Sequence, residues 1–224
     1  MGYLLIFGLF MLASWAIGAR LKSKFREYSK IPVNYNMSGR EVAEKMLHDN
    51  GVTGVSVLSV NGELTDHYNP QHKTVNLSPD VYNGRSIAAA AIAAHECGHA
   101  IQHAQAYSWL QFRSAMVPIV SFSSKWVQWI LLGGILLINT FPQLLLAGIV
   151  LFALTTLFSF VTLPVEIDAS RRATAWLDGS GIASTATLPK AQEALRLAAY
   201  TYVIAALASL ATLMYYIMIF LRRD

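Results

Sequence analysis

Apolar residues along the chain gather into three long runs, Tyr3–Ala19, Trp126–Val165 and Tyr202–Leu221, separated by two polar stretches. The first run is just long enough to cross a bilayer core at about 1.5 Å per residue, so it predicts an N-terminal transmembrane anchor. The second is too long for one crossing and is interrupted by Asn139, Thr140 and Pro142, residues that favour a turn, which predicts a helical hairpin. Its first arm, Trp126–Ile138, is short. Extending that arm toward Val117 takes in Lys125, whose ammonium can snorkel to the interface. The third run carries no charge and stops at Arg222 and Arg223, which gives a fourth span and puts both termini on the outer side.

The polar stretch 31–115 changes from helical to extended and back. Ser38 followed by Glu41 fits a capping box, and Val42, Ala43, Met46 and Leu47 recur at helical spacing up to a stop at Asn50-Gly51. Val52–Val60 is rich in β-branched residues, Asn61-Gly62 predicts a two-residue hairpin turn, and Lys73–Leu77 alternates like another short strand. Ser86–Tyr107, dominated by Ala, Ile, His and Gln and free of Pro, predicts a helix of several turns.

Composition agrees with a membrane protein: 54% of residues are hydrophobic and 13% charged. Of the 17 Lys and Arg, 15 lie in residues 20–125 and 171–196 and none at the hairpin tip, so both charged segments are expected on the cytoplasmic side. Nothing basic precedes the first apolar run, whereas Arg20, Lys22, Lys24 and Arg26 follow it, the pattern of an anchor and not of a cleaved secretory signal. The net charge of +4 fits contact with an anionic inner leaflet, and no basic stripe with interleaved aromatics points to nucleic acid. A single Cys excludes an intrachain disulfide framework.

The candidate chemistry lies on the predicted helix 86–107. His95-Glu96-Cys97-Gly98-His99 matches H-E-x-x-H, in which two His four residues apart, about 6 Å along the axis, can grip one zinc ion from a single helix face. Glu96 then stands beside the metal, where a carboxylate can take a proton from an attacking water and pass it to the departing amine. Cys97, two positions after His95, points to the opposite side and reads as a packed apolar residue. His103 continues the four-residue series, but lies about 12 Å along the axis from His95, too far for a third bond of about 2 Å to the same ion. The extended metzincin pattern is excluded, because Gln102 and Gln105 stand where it needs Gly and His.

A catalytic zinc takes three protein ligands and keeps one position open. Glu166, directly after Leu163-Pro164-Val165 at the end of the hairpin, is the expected third ligand, since an acid there is costly without a partner. Asp168 is the rival, but Arg171 and Arg172 follow three and four residues later and can pair with it, which assigns Asp168 to support.

These residues resemble the YugP-like neutral zinc peptidases of bacterial membranes. The resemblance covers nearly the whole chain and rests on Asp66-His67-Tyr68-Asn69-Pro70, Lys73-Thr74-Val75-Asn76-Leu77-Ser78, Arg85-Ser86-Ile87-Ala88, the stretch His95–His103 and Leu163–Ser170. It implies a zinc-dependent membrane endopeptidase with His95 and His99 as ligands, Glu96 as catalytic residue and Glu166 as third ligand. A more distant similarity links the chain to HtpX and the CAAX prenyl proteases, in which an Asp follows the third-ligand Glu by four residues; here that position is Ser170.

The fold class expected is a mainly α membrane protein with about four transmembrane helices and a cytoplasmic α+β, zincin-like catalytic platform. Its segments are the anchor and basic flank (1–30), the platform (31–115), the hairpin (116–165), a cytoplasmic segment with the third ligand (166–200) and the C-terminal helix (201–224). The expected cofactor is one catalytic Zn2+; the expected partners are protein or peptide substrates and the lipid bilayer. The strand Lys73–Ser78 is a candidate for edge pairing with an extended peptide. Tyr200, Tyr202, His103 and Arg172 stay open as donors to the substrate oxygen. Two rival readings are a non-catalytic zinc-binding scaffold and an intramembrane protease of the site-2 type. Leu177-Asp178-Gly179 resembles the site-2 group, but the residues before it lack that group's Asn and Pro, and Asp178-Gly179 reads as a helix stop.

Overall fold

The computed structural model describes residues 2–62 and 64–222, with side chains described from residue 7 onward. The element order is α1 (Gly2–Tyr28), a 3-10 turn at Asn34–Asn36, α2 (Gly39–Asp49), β1 (Ser56–Ser59), β2 (His67–Asn69), β3 (Thr74–Leu77), α3 (Pro79–Tyr82), α4 (Ile87–Ala104), α5 (Ser108–Leu136), α6 (Pro142–Gly179) and α7 (Leu188–Leu221). The protein is thus mainly helical with one small sheet. The helices α5, α6 and α7 are long and apolar enough to cross a membrane. The expected first span, Tyr3–Ala19, falls within α1, but its side chains at 3–6 lie outside the described residues.

The chain divides into two compact units, one made of Met1–Ala16, Gln111–Leu163 and Thr201–Asp224, the other of Ile17–Leu110 and Pro164–Tyr200. In the first unit, Val127 and Leu131 of α5 pack against Leu145 and Ile149 of α6. The helices approach closely at Gly134, where a Cβ would come within 2.5 Å of the Leu145 Cα. Thr156 and Ser209 share a 2.7 Å hydrogen bond, which satisfies two hydroxyls among apolar side chains. Trp15, Phe122, Trp126 and Trp129 are exposed.

The second unit holds the sheet and the candidate site. At the start of α2 the Ser38 hydroxyl accepts from the Glu41 amide at 3.3 Å, and the Glu41 carboxylate accepts from the Ser38 amide at 2.7 Å, the reciprocal box expected from their spacing. Ser86 caps α4 by accepting from the Ala89 amide at 3.3 Å. Ala88–Ala91, Ala93 and Ala94 are then all buried, because their small side chains let neighbouring elements come close on several sides of α4.

Two expectations about the sheet are corrected. Its order is β1-β3-β2, with β1 parallel and β2 antiparallel to β3. Asn61-Gly62 therefore does not join a two-residue hairpin: the strand after it reaches β3 instead of folding back on β1, and the Gly62 φ of +116° serves a wider loop. β3 is central, so both its sides are already hydrogen-bonded and it has no edge for a peptide. Burial of Val75, Asn76 and Leu77 goes with that position.

The helices also pass through segment boundaries expected from polarity. α5 starts at Ser108, well before the expected hairpin, and Pro118 does not interrupt it. α6 runs through Pro164 without ending and stops at Gly179, where a stop was expected. Proline removes one intrahelical hydrogen bond, and α6 nonetheless continues on both sides of it.

Candidate metal centre

Three donor groups converge where α4 meets α6. The Nε2 of His95 lies 3.3 Å from the Glu166 Oε2, and that of His99 lies 3.6 Å from the same oxygen. One ligand atom from each of the three residues falls within 4.8 Å of the others. Four ligand atoms around zinc, at bonds of about 2.0–2.1 Å, are separated by about 3.3 Å along each tetrahedral edge, so the donor set fits the ion that the motif implies. The imidazoles stand edge to face at 82° with centroids 4.8 Å apart, which keeps both nitrogens turned toward the carboxylate without ring clash.

Gly98 makes this convergence sterically feasible. A Cβ there would sit 2.7 Å from the Ala169 carbonyl oxygen and 3.0 Å from its Cα, so only glycine lets the α6 backbone come this close to α4. Cys97, on another face, is fully buried and its thiol donates weakly to the Ala43 carbonyl at 3.5 Å, the packing role expected for it. Burial pushes that thiol well above its ordinary pKa.

Each histidine is oriented through its second nitrogen. His99 Nδ1 lies 3.1 Å from the Gln102 Oε1, and with Nε2 facing Glu166 it is Nδ1–H that donates. The Gln102 amide in turn donates to the Val165 carbonyl at 2.8 Å and to the Asp168 Oδ2 at 3.0 Å. Asp168 is itself held by Arg171 at 2.6 Å and Arg172 at 2.5 Å, the pairing expected from their spacing. His95 Nδ1 lies 3.1 Å from the Ser170 hydroxyl. The residue that departs from the HtpX-like pattern therefore meets the first histidine.

Gln102 and Ser170 were missed by sequence reasoning. Gln102, fully buried one turn after His99, carried a weak signal in its amide placed inside an apolar helix. Burial pushes the pKa of His99 down, but the hydrogen bond its ring donates to Glu166 and the nearby charges of Glu96 and Glu166 raise it above the ordinary value. Glu96 is buried next to His95 on α4. His103 stays outside the cluster and meets Tyr68 of β2 instead, at 2.8 Å. Arg172, an open candidate for substrate contact, is committed to Asp168 and Gln105.

A three-donor candidate metal site on a mainly helical, apolar chain is what these features define. The sequence model of the family described as "Putative neutral zinc metallopeptidase" matches residues 3–221, and the chain belongs to that family. Among curated proteins it is similar to "Putative membrane protease YugP" of Bacillus subtilis (strain 168), with 41% identity over 210 residues, covering 94% of this chain and 92% of that protein. No solved structure matches.

Proposed function

We propose that the chain is a membrane-embedded zinc-dependent endopeptidase, in which His95, His99 and Glu166 hold one catalytic zinc ion and Glu96 is the general base. The observation that carries this reading is the convergence of three donor atoms within 4.8 Å, two of the pairings close to a tetrahedral edge. When bound, zinc supplies Lewis acidity, polarising the scissile carbonyl and making a water nucleophilic near neutral pH.

The chain's own groups do the rest. Glu96 takes the proton from the attacking water as its oxygen bonds to the carbonyl carbon, then delivers that proton to the amide nitrogen as the C–N bond breaks. Gln102 and Ser170 hold the two imidazoles in the tautomer that leaves Nε2 free to ligate. Asp168 acts only through Gln102.

Substrates on this reading are proteins or peptides in extended form. With β3 enclosed, the outer edge of β2, packed against α4, is the place for main-chain pairing. Together α1, α5, α6 and α7 make four spans of the cell membrane, with residues 20–125 and 171–196 on the cytoplasmic side by their Lys and Arg content, so the site faces the cytoplasm. A closed structural zinc site would need a fourth protein ligand and no adjacent base, and the described residues offer three donors with Glu96 alongside.

Casein cleavage in detergent tests the reading. Wild type is expected to cut, a chelator to stop it and added zinc to restore it, while Glu96→Gln keeps its fold and loses at least about a hundredfold of the rate. Equal cleavage by Glu96→Gln would remove the general base from the account. A zinc-loaded protein that cuts nothing would favour the scaffold reading.

A further inference from the structure

We propose that His103, held by Tyr68, is a substrate-positioning residue that donates a hydrogen bond to the main chain of an extended peptide two to three residues from the bond being cut. This inference rests on the peptidase reading and assigns to it a subsite outside the metal cluster.

The Tyr68 hydroxyl and His103 Nδ1 are 2.8 Å apart, with ring centroids 5.8 Å apart and planes tilted by 53°. Burial pushes the Tyr68 phenol above its ordinary pKa, so it stays protonated and able to donate. A hydroxyl that donates to Nδ1 places the hydrogen of the neutral imidazole on Nε2, which becomes the ring's outward donor. His103 itself is exposed, so this donor is within reach of a ligand.

Its place on α4 fixes what it can reach. Seven residues after Glu96, His103 returns to within about 20° of that residue around the helix axis, so the two share a side of the helix. Along the axis it lies about 9 Å beyond the level midway between His95 and His99. That is too far to touch an oxygen at the metal, whose bonds are about 2 Å. It corresponds to two to three residues of extended chain at about 3.3 Å each.

The strand that carries Tyr68 supplies the other wall. β2 is hydrogen-bonded to β3 on one side and, among the described residues, to no strand on the other. The Tyr68–His103 contact therefore joins an edge strand to the metal-bearing helix, at the level where a peptide lying along both would pass. The cation of Arg172 on α6 is already held by Asp168 and Gln105.

Peptide hydroxamates test this without relying on turnover, because the hydroxamate chelates zinc while the peptide extends from it. Two nested series of zero to four residues, one extending to each side of the scissile position, are titrated against zinc-loaded full-length protein in detergent. In one series wild type is expected to gain roughly threefold to tenfold in affinity when the second or third residue is added. His103→Ala abolishes that step while leaving the shortest compound's affinity and the zinc content unchanged. Tyr68→Phe diminishes the step and adds little in the double variant, and His103→Gln, whose amide reaches near the Nε2 position, retains part of it. A length step of the same size in wild type and His103→Ala overturns the proposal. So does a loss in His103→Ala that is equal for all lengths, which marks a structural role. If no hydroxamate of any length binds the zinc-loaded wild type, it is the metal-centre reading that fails, and the subsite falls with it.

Discussion

His99 is under opposing influences that make the site's response to pH distinctive. Burial disfavours its charge, yet the Glu166 carboxylate at 3.6 Å and the neighbouring Glu96 favour it, and the net effect is a raised pKa. In the metal-free protein the pairing therefore adds stability that is fully present below the unfolded pKa of about 6.5 and is lost as pH rises through the higher folded value. Zinc affinity runs the other way, since an imidazole ligates only when neutral. Thermal melts from pH 5 to 8 should show a zinc-induced gain that grows with pH; a gain independent of pH contradicts the histidine assignment. Gln102 is a second point of leverage. Replacing it with Leu removes the acceptor for His99 Nδ1–H and is expected to lower zinc affinity about 10-fold to 100-fold, read by competition with a chromophoric chelator. That His95 and His99 share one helix face was legible from their spacing alone. Gln102 and Ser170 were not, because their contacts depend on which face α6 turns toward α4.

At the scale of elements, the site is an α4–α6 contact, and Gly98 sets its closeness. Gly98→Ala puts a methyl 2.7 Å from the Ala169 carbonyl oxygen, and neither backbone can move aside locally. Such overpacking costs about 1–3 kcal/mol, and here it is expected to appear as a lower melting temperature together with weaker zinc binding. A variant that melts earlier but binds zinc as before would show that the convergence of His95, His99 and Glu166 does not depend on that approach. The sequence was informative for helices whose start signals are local, as at Ser38 and Ser86. It misled at β3, because strand order is set by long-range pairing that a run of alternating residues does not encode. It also understated α6, which continues through Pro164 although proline disfavours a helix interior.

For the whole molecule, the four-span reading makes a prediction about sidedness. Cysteines introduced at Thr140 and at Asp178, in a Cys97→Ser background shown to fold, should differ in reaction with an impermeant thiol reagent. Thr140, in the α5–α6 turn, should label in intact cells, and Asp178, near the end of α6, only after lysis. Labelling of both from outside would invert the charge-based orientation. The central claim, that α4 and α6 together make one zinc site, is tested most directly by counting zinc per chain in purified wild type, Glu96→Gln and Glu166→Ala proteins of matched folding. Wild type and Glu96→Gln are expected to hold one zinc per chain, and Glu166→Ala to lose most of it. Full zinc in Glu166→Ala would contradict that claim and move the third ligand elsewhere.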